Sequence, residues 1–564
     1  MRWTLKSKPP IEKIKALQKA LQVDTIIAEL LLQRGIETFD EAKAFFRPTL
    51  NELHNPFLMK DMDKAVARIE QAIANHENIL VYGDYDVDGT TSVALMASYL
   101  KTKQDNVHTY IPDRYDEGYG VSYKGIDFAS DNDFSLIIAL DCGVKAIEKV
   151  AYAKTLGVDF IICDHHRPGQ NIPDCVAVLD PKRDDCNYPF KELCGCGVGF
   201  KLIEALASKE GKTAKDLTEY LDLVATAIGA DIVPINGENR VLAYFGLQVI
   251  NSTPRPGIKA ILDQVKKTEL TITDVVFTVA PRINAAGRMK HGNYAVALLS
   301  EFNIEKATQF AAEINEYNLD RRETDKVITQ EALEQIEKNN EQNRITTVVY
   351  HNTWHKGVIG IVASRLTETY YRPTLVFTKS GEFLAASARS VKGFDVYNAL
   401  EACSEHIEQF GGHKYAAGLT LKPENYDAFK QAFEDEVSKT IDRKLLIPEI
   451  KIDAKIDLND ISEKFNRILK QFAPFGPSNM TPVFLTENLI DTGYGKPVGA
   501  DQTHLRLTAT QQGTTKQIVG IGFSMADKFD IISESKPFKA VYSIDENEWQ
   551  GNVSLQMKIR DIQA

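Results

Sequence analysis

Between residue 79 and about residue 181, short apolar runs alternate with helical stretches, and each run ends on or just before an aspartate. The runs are "ILVYG", "VHTYIPD", "LIIALDCG", "DFIICDHH" and "AVLD"; the acids are Asp84, Asp113, Asp141, Asp164 and Asp180. Strands that are apolar on both faces and separated by helices describe βαβ units and a parallel sheet covered on both sides. Open α/β sheets bind ligands beyond the carboxyl ends of their strands, so these five acids are expected along one edge.

The stretch "VYGDYDVDG" concentrates three of the acidic positions, Asp84, Asp86 and Asp88. It matches the start of an EF-hand loop, but the twelfth position, which needs a bidentate Glu, is Leu95, and the preceding "ILVY" reads as a strand. Three carboxylates within five residues repel one another unless cations neutralise them. "DFIICDHHRPG" adds Asp164, His165 and His166 at another strand end, "ALDCG" adds Asp141, and "GADIVP" adds Asp231. Carboxylate oxygen mixed with imidazole suits Mn²⁺ or Mg²⁺ better than metals that prefer thiolate. The donors are too many for one ion. Two ions about 3.5–4 Å apart would clamp a phosphate for in-line attack.

A chain of 564 residues exceeds what one hydrophobic core supports, so several domains are expected. Residues 1–60 form an N-terminal helical segment, with Asp24 placed to cap "TIIAELLLQRG" and Thr38 and Glu41 at capping-box spacing. Residues 61–302 hold the parallel-sheet domain, and 303–345 are a connecting helix without Pro or Gly over some forty residues. Residues 346–444 form a smaller α/β domain, and 445–564 form short strands and turns that suggest an OB-like β-barrel. The fold class is thus α/β with a C-terminal β-barrel.

Composition is that of an ordinary globular protein, 43% hydrophobic and 26% charged. No apolar run approaches the roughly 18 residues of a membrane span, and no signal peptide is evident, so a cytoplasmic protein without a membrane partner is expected. The seven cysteines include no CxxC pair; Cys194 and Cys196 in "CGCG" read as small residues in a tight loop, and all seven as reduced thiols. The net charge of −12 argues against a protein that coats nucleic acid, yet leaves room for a local basic groove. "PRINAAGR", "SARS" and "FGGHKYAAG" supply Arg282, Arg288, Ser387, Arg389, Gly411, Gly412 and His413, and with Arg114 they form a candidate phosphate grip.

"DYDVDG", "LDCG", "CDHH" and "GADIVP" resemble the four motifs of the DHH phosphoesterase superfamily, and "RINAAGRM", "WHKGVIGIVASRL", "SARSVKGFDVYNALEAC" and "FGGHKYAAG" resemble its DHHA1 partner domain. With "FAPFGPSNMTPVF" in the C-terminal segment, the likeness covers about residues 50–564 and is to the single-strand-specific DNA exonucleases of that superfamily. The resemblance implies 5′-to-3′ release of mononucleotides from single-stranded DNA, in recombination and repair, with two Mn²⁺ or Mg²⁺ ions. It places the metal ligands on Asp84, Asp86, Asp88, Asp141 as bridge, His165 and Asp231, with His166 beside them as a further catalytic residue. It implies DNA backbone and 5′-phosphate contacts from the DHHA1 residues, a helicase and a single-strand-binding protein as partners, and a monomer. Many superfamily members carry His where this chain has Tyr82, a poor ligand at neutral pH. The competing expectations are cleavage of oligoribonucleotides or cyclic dinucleotides, against which the last ~120 residues argue, and a non-catalytic replication scaffold, which would have shed some of the acids.

Overall fold

A computed structural model describes every residue except 266, 268, 534 and 535. Five parallel strands form the first sheet, in the spatial order Val107–Tyr110, Asn78–Gly83, Phe134–Leu140, Asp159–Cys163, Ala177–Leu179. Alternation along each strand sorts side chains to two faces. Ile79 and Val81 enter the core shared with helices Val87–Leu100, Gly195–Ser208 and Leu221–Ala230. Leu80 and Tyr82 enter the core shared with helices Tyr123–Asp131 and Ile147–Thr155. This sheet order puts Asp84, Asp141 and Asp164 at the ends of three neighbouring strands, while Asp113 and Asp180 belong to the two flanking ones.

The helix Ile304–Lys338 runs 35 residues, about 52 Å at 1.5 Å per residue. Its first turns bury Ala307, Ala311 and Ile314 in the core of the first sheet; its last turns bury Ile328, Ala332 and Ile336 against a second α/β unit. One rod anchored in two cores fixes the spacing between them. The second unit has a five-stranded sheet ordered Gln409–His413, Ala416–Leu421, Phe383–Arg389, Thr374–Ser380, Thr347–Tyr350, in which the pairing of the last two is parallel. In the C-terminal part, strands Phe484–Asp491, Phe538–Trp549, Asn552–Gln563, Gln517–Gly522 and His504–Gln511 pair in turn, and pairing of the first with the last closes the ring expected of a small barrel.

The N-terminal helices Ile11–Leu21, Thr25–Leu32 and Phe39–Phe46 share one core with that barrel, Ile14, Leu17, Ile27 and Leu31 packing among residues that include Phe465, Phe484 and Tyr542. Strand Arg2–Leu5 pairs with Glu449–Ile452 in parallel. Thr38 and Glu41 form the expected capping box, whereas Asp24 occupies its N-cap without a side-chain bond. Among the described residues no helix is long and apolar enough to cross a membrane, and the seven cysteines are unpaired thiols.

Arg240, buried on helix Gly237–Ser252, joins the sheet domain to this composite body. Its guanidinium lies 3.7 Å from the Phe45 ring centroid and donates to the carbonyls of Phe45, Gln471, Phe472, Ala473 and Pro474 at 2.8–3.5 Å. Burial pushes its pKa down to about 10, so it stays charged at neutral pH. Replacing it with Met takes that donor from the Phe45, Gln471 and Ala473 carbonyls, at about 1–3 kcal/mol for each one left buried without a donor, while Phe472 and Pro474 keep the bonds from Asn479 Nδ2. Arg240→Met is therefore expected to lower the thermal midpoint and to split the calorimetric transition in two; a single unshifted transition would contradict this role.

Candidate metal and phosphate site

The loop after strand Asn78–Gly83 folds back tightly on itself. Asp86 is the N-cap of helix Val87–Leu100 and accepts from the Gly89 N–H at 2.9 Å. A methyl on Gly89 would lie 2.6 Å from the Asp84 nitrogen, so this turn has no room for a larger residue. Asp88 stands in the first turn of that helix and faces the start of another, accepting from Gly195 N–H and Cys196 N–H at 2.7 Å each. Helix N-termini stabilise carboxylate. The "CGCG" pattern thus serves as a helix start rather than a thiolate site: Cys194 is the N-cap and its Sγ accepts from Gly197 N–H.

Asp141, buried, has φ +59° and lies against Gly195, where a methyl would come 2.6 Å from its Cβ. His165 Nε2 lies 3.2 Å from Asp141 Oδ1, 3.7 Å from Asp231 Oδ2 and 3.8 Å from Asp88 Oδ2. Ligand atoms of Asp141, His165 and His166 lie within 4.8 Å of one another, as do those of Asp88, His165 and Asp231, so two sets of donors meet at His165. Asp84 Oδ2, Asp141 Oδ1 and His165 Nε2 are buried without a hydrogen-bond partner. Buried polar atoms left unpartnered on convergent carboxylate and imidazole groups fit hard divalent cations.

The electrostatics agree. Burial, then Asp86, raises Asp84 well above the carboxylate range and Asp88 to about 7. Burial, then Asp88 and Asp86, raises Asp141 well above that range and Asp231 to about 8. Burial and His166 hold His165 at about 3, which leaves a neutral imidazole able to ligate. Burial would raise Asp164, but the His166 hydrogen bond and charge hold it at about 2; burial would lower His166, but Asp164 holds it at about 9.

Asp164 therefore braces His166 rather than joining the donor sets: it accepts from His166 Nδ1 at 2.7 Å and from Val144, His165 and His166 backbone N–H groups. Tyr119, which the sequence reading passed over, lies with its hydroxyl 3.2 Å from His166 Nε2 and donates to the Asp141 carbonyl at 3.4 Å. Tyr82 is not among the donors. It is fully buried on the far face of the sheet, stacks on Tyr110 at 5.2 Å and donates to the Gly120 carbonyl at 2.9 Å. Of the flanking acids, Asp113 caps a turn by accepting from Tyr115 and Asp116 N–H, and Asp180 is buried and accepts from Lys182 N–H.

The basic residues divide into two groups. Arg114 lies over the Tyr85 ring at 4.4 Å, beside the acidic loop. Arg288 donates to the Gly357 carbonyl of the second α/β unit at 3.0 Å; burial, then Arg114 and Arg389, lowers it to about 9. Arg389 donates to Ser387 Oγ at 3.0 Å, and burial and Arg114 depress its pKa. Three guanidiniums that repel one another, none of them in an ion pair among the described residues, form an anion grip. Arg282 lies elsewhere, bonded to Asn315 Oδ1 and the Thr278 carbonyl, with Arg322 as its charged neighbour. Gly411, Gly412 and His413 lie on an exposed edge strand, and burial followed by His166 and Lys145 lowers the His413 pKa, so this hairpin faces the acidic cluster.

That pairing of units is the arrangement of a DHH–DHHA1 phosphoesterase. Residues 78–228 match the DHH family, N-terminal domain, residues 342–439 the DHHA1 domain and residues 452–561 the RecJ OB domain. The single-stranded-DNA-specific exonuclease RecJ of Bacillus subtilis is 36% identical across 100% of this chain and 70% of its own length. The Escherichia coli protein of that name is 31% identical across 96% of each. The crystal structure of Thermus thermophilus RecJ in complex with Mn²⁺ superposes with a TM-score of 0.85 at 26% identity, covering 100% of this chain and 79% of that one. This chain belongs to the RecJ family.

Two outcomes follow from the geometry. Gly195→Ala pushes Asp141 out of place and is expected to reduce turnover about 100-fold, the scale of a 1 Å misplacement, and to lower the thermal midpoint, because the methyl also meets the Asp141 Cα at 2.9 Å; full activity would show that the contact is slack. The second concerns pH. A carboxyl with a raised folded pKa binds its proton more tightly folded than unfolded, so without cations stability falls as pH rises towards 7 and 8 through Asp88 and Asp231, and His166 acts in the same direction between its ordinary value and about 9. Cations compete with those protons. Mn²⁺ should therefore raise the thermal midpoint more at pH 8 than at pH 6, and equal shifts would refute the proton competition.

Proposed function

We propose that this chain hydrolyses single-stranded DNA from its 5′ end, releasing mononucleotides, with two divalent cations, Mn²⁺ or Mg²⁺. The observation that carries this reading is the guanidinium grip of Arg114, Arg288 and Arg389 beside a cluster of buried, unpartnered acids. Asp84, Asp86, Asp88, Asp141, His165 and Asp231 would hold the cations. Their chemistry, when bound, is Lewis-acid stabilisation of attack by water on phosphorus.

The chain's own residues do the rest. Arg288, Arg389 and Ser387 receive the 5′ phosphate, so the scissile phosphate is the next one along. Attack at that phosphorus breaks its bond to O3′ of the terminal nucleotide, which leaves as a 5′ mononucleotide, and the shortened strand keeps a 5′ phosphate. His166, kept protonated by Asp164, supplies the proton to the departing O3′, and the hairpin at His413 steadies the backbone. A grip that is part-buried between two units takes a free strand end and not a stacked duplex terminus. On the barrel, Phe523 is exposed and packs on His504 at 5.2 Å between ring centroids, and Tyr494 is exposed, supporting a surface on which bases stack as the strand is tracked. In this reading the enzyme works in the cytoplasm as a monomer, in DNA recombination and repair, on strands delivered by a helicase and held by a single-strand-binding protein.

The test is purified protein with 5′-phosphorylated and 5′-hydroxyl single strands, duplex DNA, RNA and a cyclic dinucleotide, with and without Mn²⁺. Mononucleotide release should require the cation and a single strand, fall at least 1,000-fold in Asp141→Ala, and lose its preference for a 5′ phosphate in Arg389→Ala. Faster cleavage of the cyclic dinucleotide, or undiminished activity of Asp141→Ala, would overturn the reading.

A further inference from the structure

Asp231 differs from the strand-end ligands because it closes a helix, Leu221–Ala230, with its N–H donating to the Ala227 carbonyl at 2.9 Å. The next residue, Ile232, is β-branched yet has φ +59°, and it is 67% exposed. Such a conformation is strained for a β-branched residue and persists only where its surroundings impose it. Exposed, Ile232 gains no packing that would offset the strain, so the restraint lies on either side of it.

Downstream, the Pro234 carbonyl accepts from Asn239 Nδ2 at 3.1 Å and Ile235 N–H donates to the Pro477 carbonyl at 2.7 Å. The buried Ile235 side chain lies against Gly476, where a methyl would come 2.5 Å from its Cγ1. Gly476 and Pro477 belong to the loop 471–480 that leads into the barrel. That loop is itself fixed: four of its carbonyls accept from Arg240, Asn479 donates to Phe472 and Pro474 carbonyls at 2.7 and 2.9 Å, and Arg34 donates to Asn479 Oδ1 at 2.8 Å. The segment from Asp231 to Ile235 is thus stretched between the end of its own helix and a rigid loop of another domain.

We propose that loop 471–480 is a positioning element for the metal ligand Asp231, acting through Pro477 and Gly476 on Ile235. It places the Asp231 carboxylate opposite His165 at the cost of the strain at Ile232. This rests on the reading of Asp231 as a cation ligand. Ile235, Gly476 and Pro477 touch no reacting group; they act through Asp231.

The experiment is Mn²⁺ binding to the full chain without DNA, by calorimetry and by electron paramagnetic resonance of free Mn²⁺. Asp231→Ala should lose one of two ions. Gly476→Ala, which displaces Ile235, and Ile232→Gly, which lets the segment relax, should each weaken that same ion about 10-fold and leave the other unchanged. The thermal midpoint of Ile232→Gly should stay level or rise, because no buried contact is removed, and KM for the single strand should hold while the Mn²⁺ requirement of turnover increases. If Asp231→Ala still binds both ions, the ligand reading fails. If Asp231→Ala loses one but both loop variants bind Mn²⁺ as the parent does, the positioning role fails. Should Gly476→Ala not fold, Ile232→Gly alone decides.

Discussion

Repulsion among buried carboxylates at the edge of the first sheet is the constraint from which the rest of the site follows. Asp84, Asp88 and Asp141 are buried, and the N–H groups of Gly195 and Cys196 reach Asp88 alone, leaving Asp84 Oδ2 and Asp141 Oδ1 without a partner. Such a cluster is tolerable where protons or cations complete it. The close turns at Gly89 and Gly195 then have a physical purpose: they let backbone approach so nearly that the acids cannot swing apart to relieve their repulsion.

The basic groups repeat the problem with opposite sign. Arg114, Arg288 and Arg389 are brought together from three segments, and burial, with their mutual repulsion added, depresses the pKa of Arg288 and Arg389. A frame that holds like charges together on each of two surfaces must be stiff. The helix Ile304–Lys338, planted in two hydrophobic cores, supplies that stiffness along one direction, and the Arg240 junction supplies it between the sheet domain and the barrel.

How much of this was readable in the sequence depended on whether a contact is local. Apolar runs ending in acids announced the parallel sheet and its ligand edge, and the capping box at Thr38 was found where its spacing put it. The sequence could not show which strand ends are neighbours, because order in the sheet differs from order in the chain. Strand-end position alone thus gave Asp113 and Asp180 the same standing as Asp141, and only the motif resemblance singled Asp141 out before the topology did. Asp164 looked like another donor, but its two oxygens are taken up by His166 and by backbone N–H groups. Tyr82 looked like a substituted ligand, but strand alternation turns it to the other face of the sheet. Arg282, six residues before Arg288, is bonded to Asn315 Oδ1 and the Thr278 carbonyl instead of reaching the second α/β unit. Tyr119 had no motif to mark it, and Arg240 gave no signal because its five acceptors are main-chain carbonyls, which any sequence offers.

The shared core of the N-terminal helices and the barrel carries a consequence for synthesis. Ile14 and Leu17 need partners such as Phe484 and Tyr542, and strand Arg2–Leu5 needs Glu449–Ile452. A ribosome delivers those partners only after the two α/β units, at about 5–20 residues per second. For tens of seconds the earliest helices must wait with their apolar faces uncovered, while the two α/β units between them can already close. These helices are thus made before the two α/β units and find their place after them, and in that interval their exposed stripe is where a chaperone would find purchase.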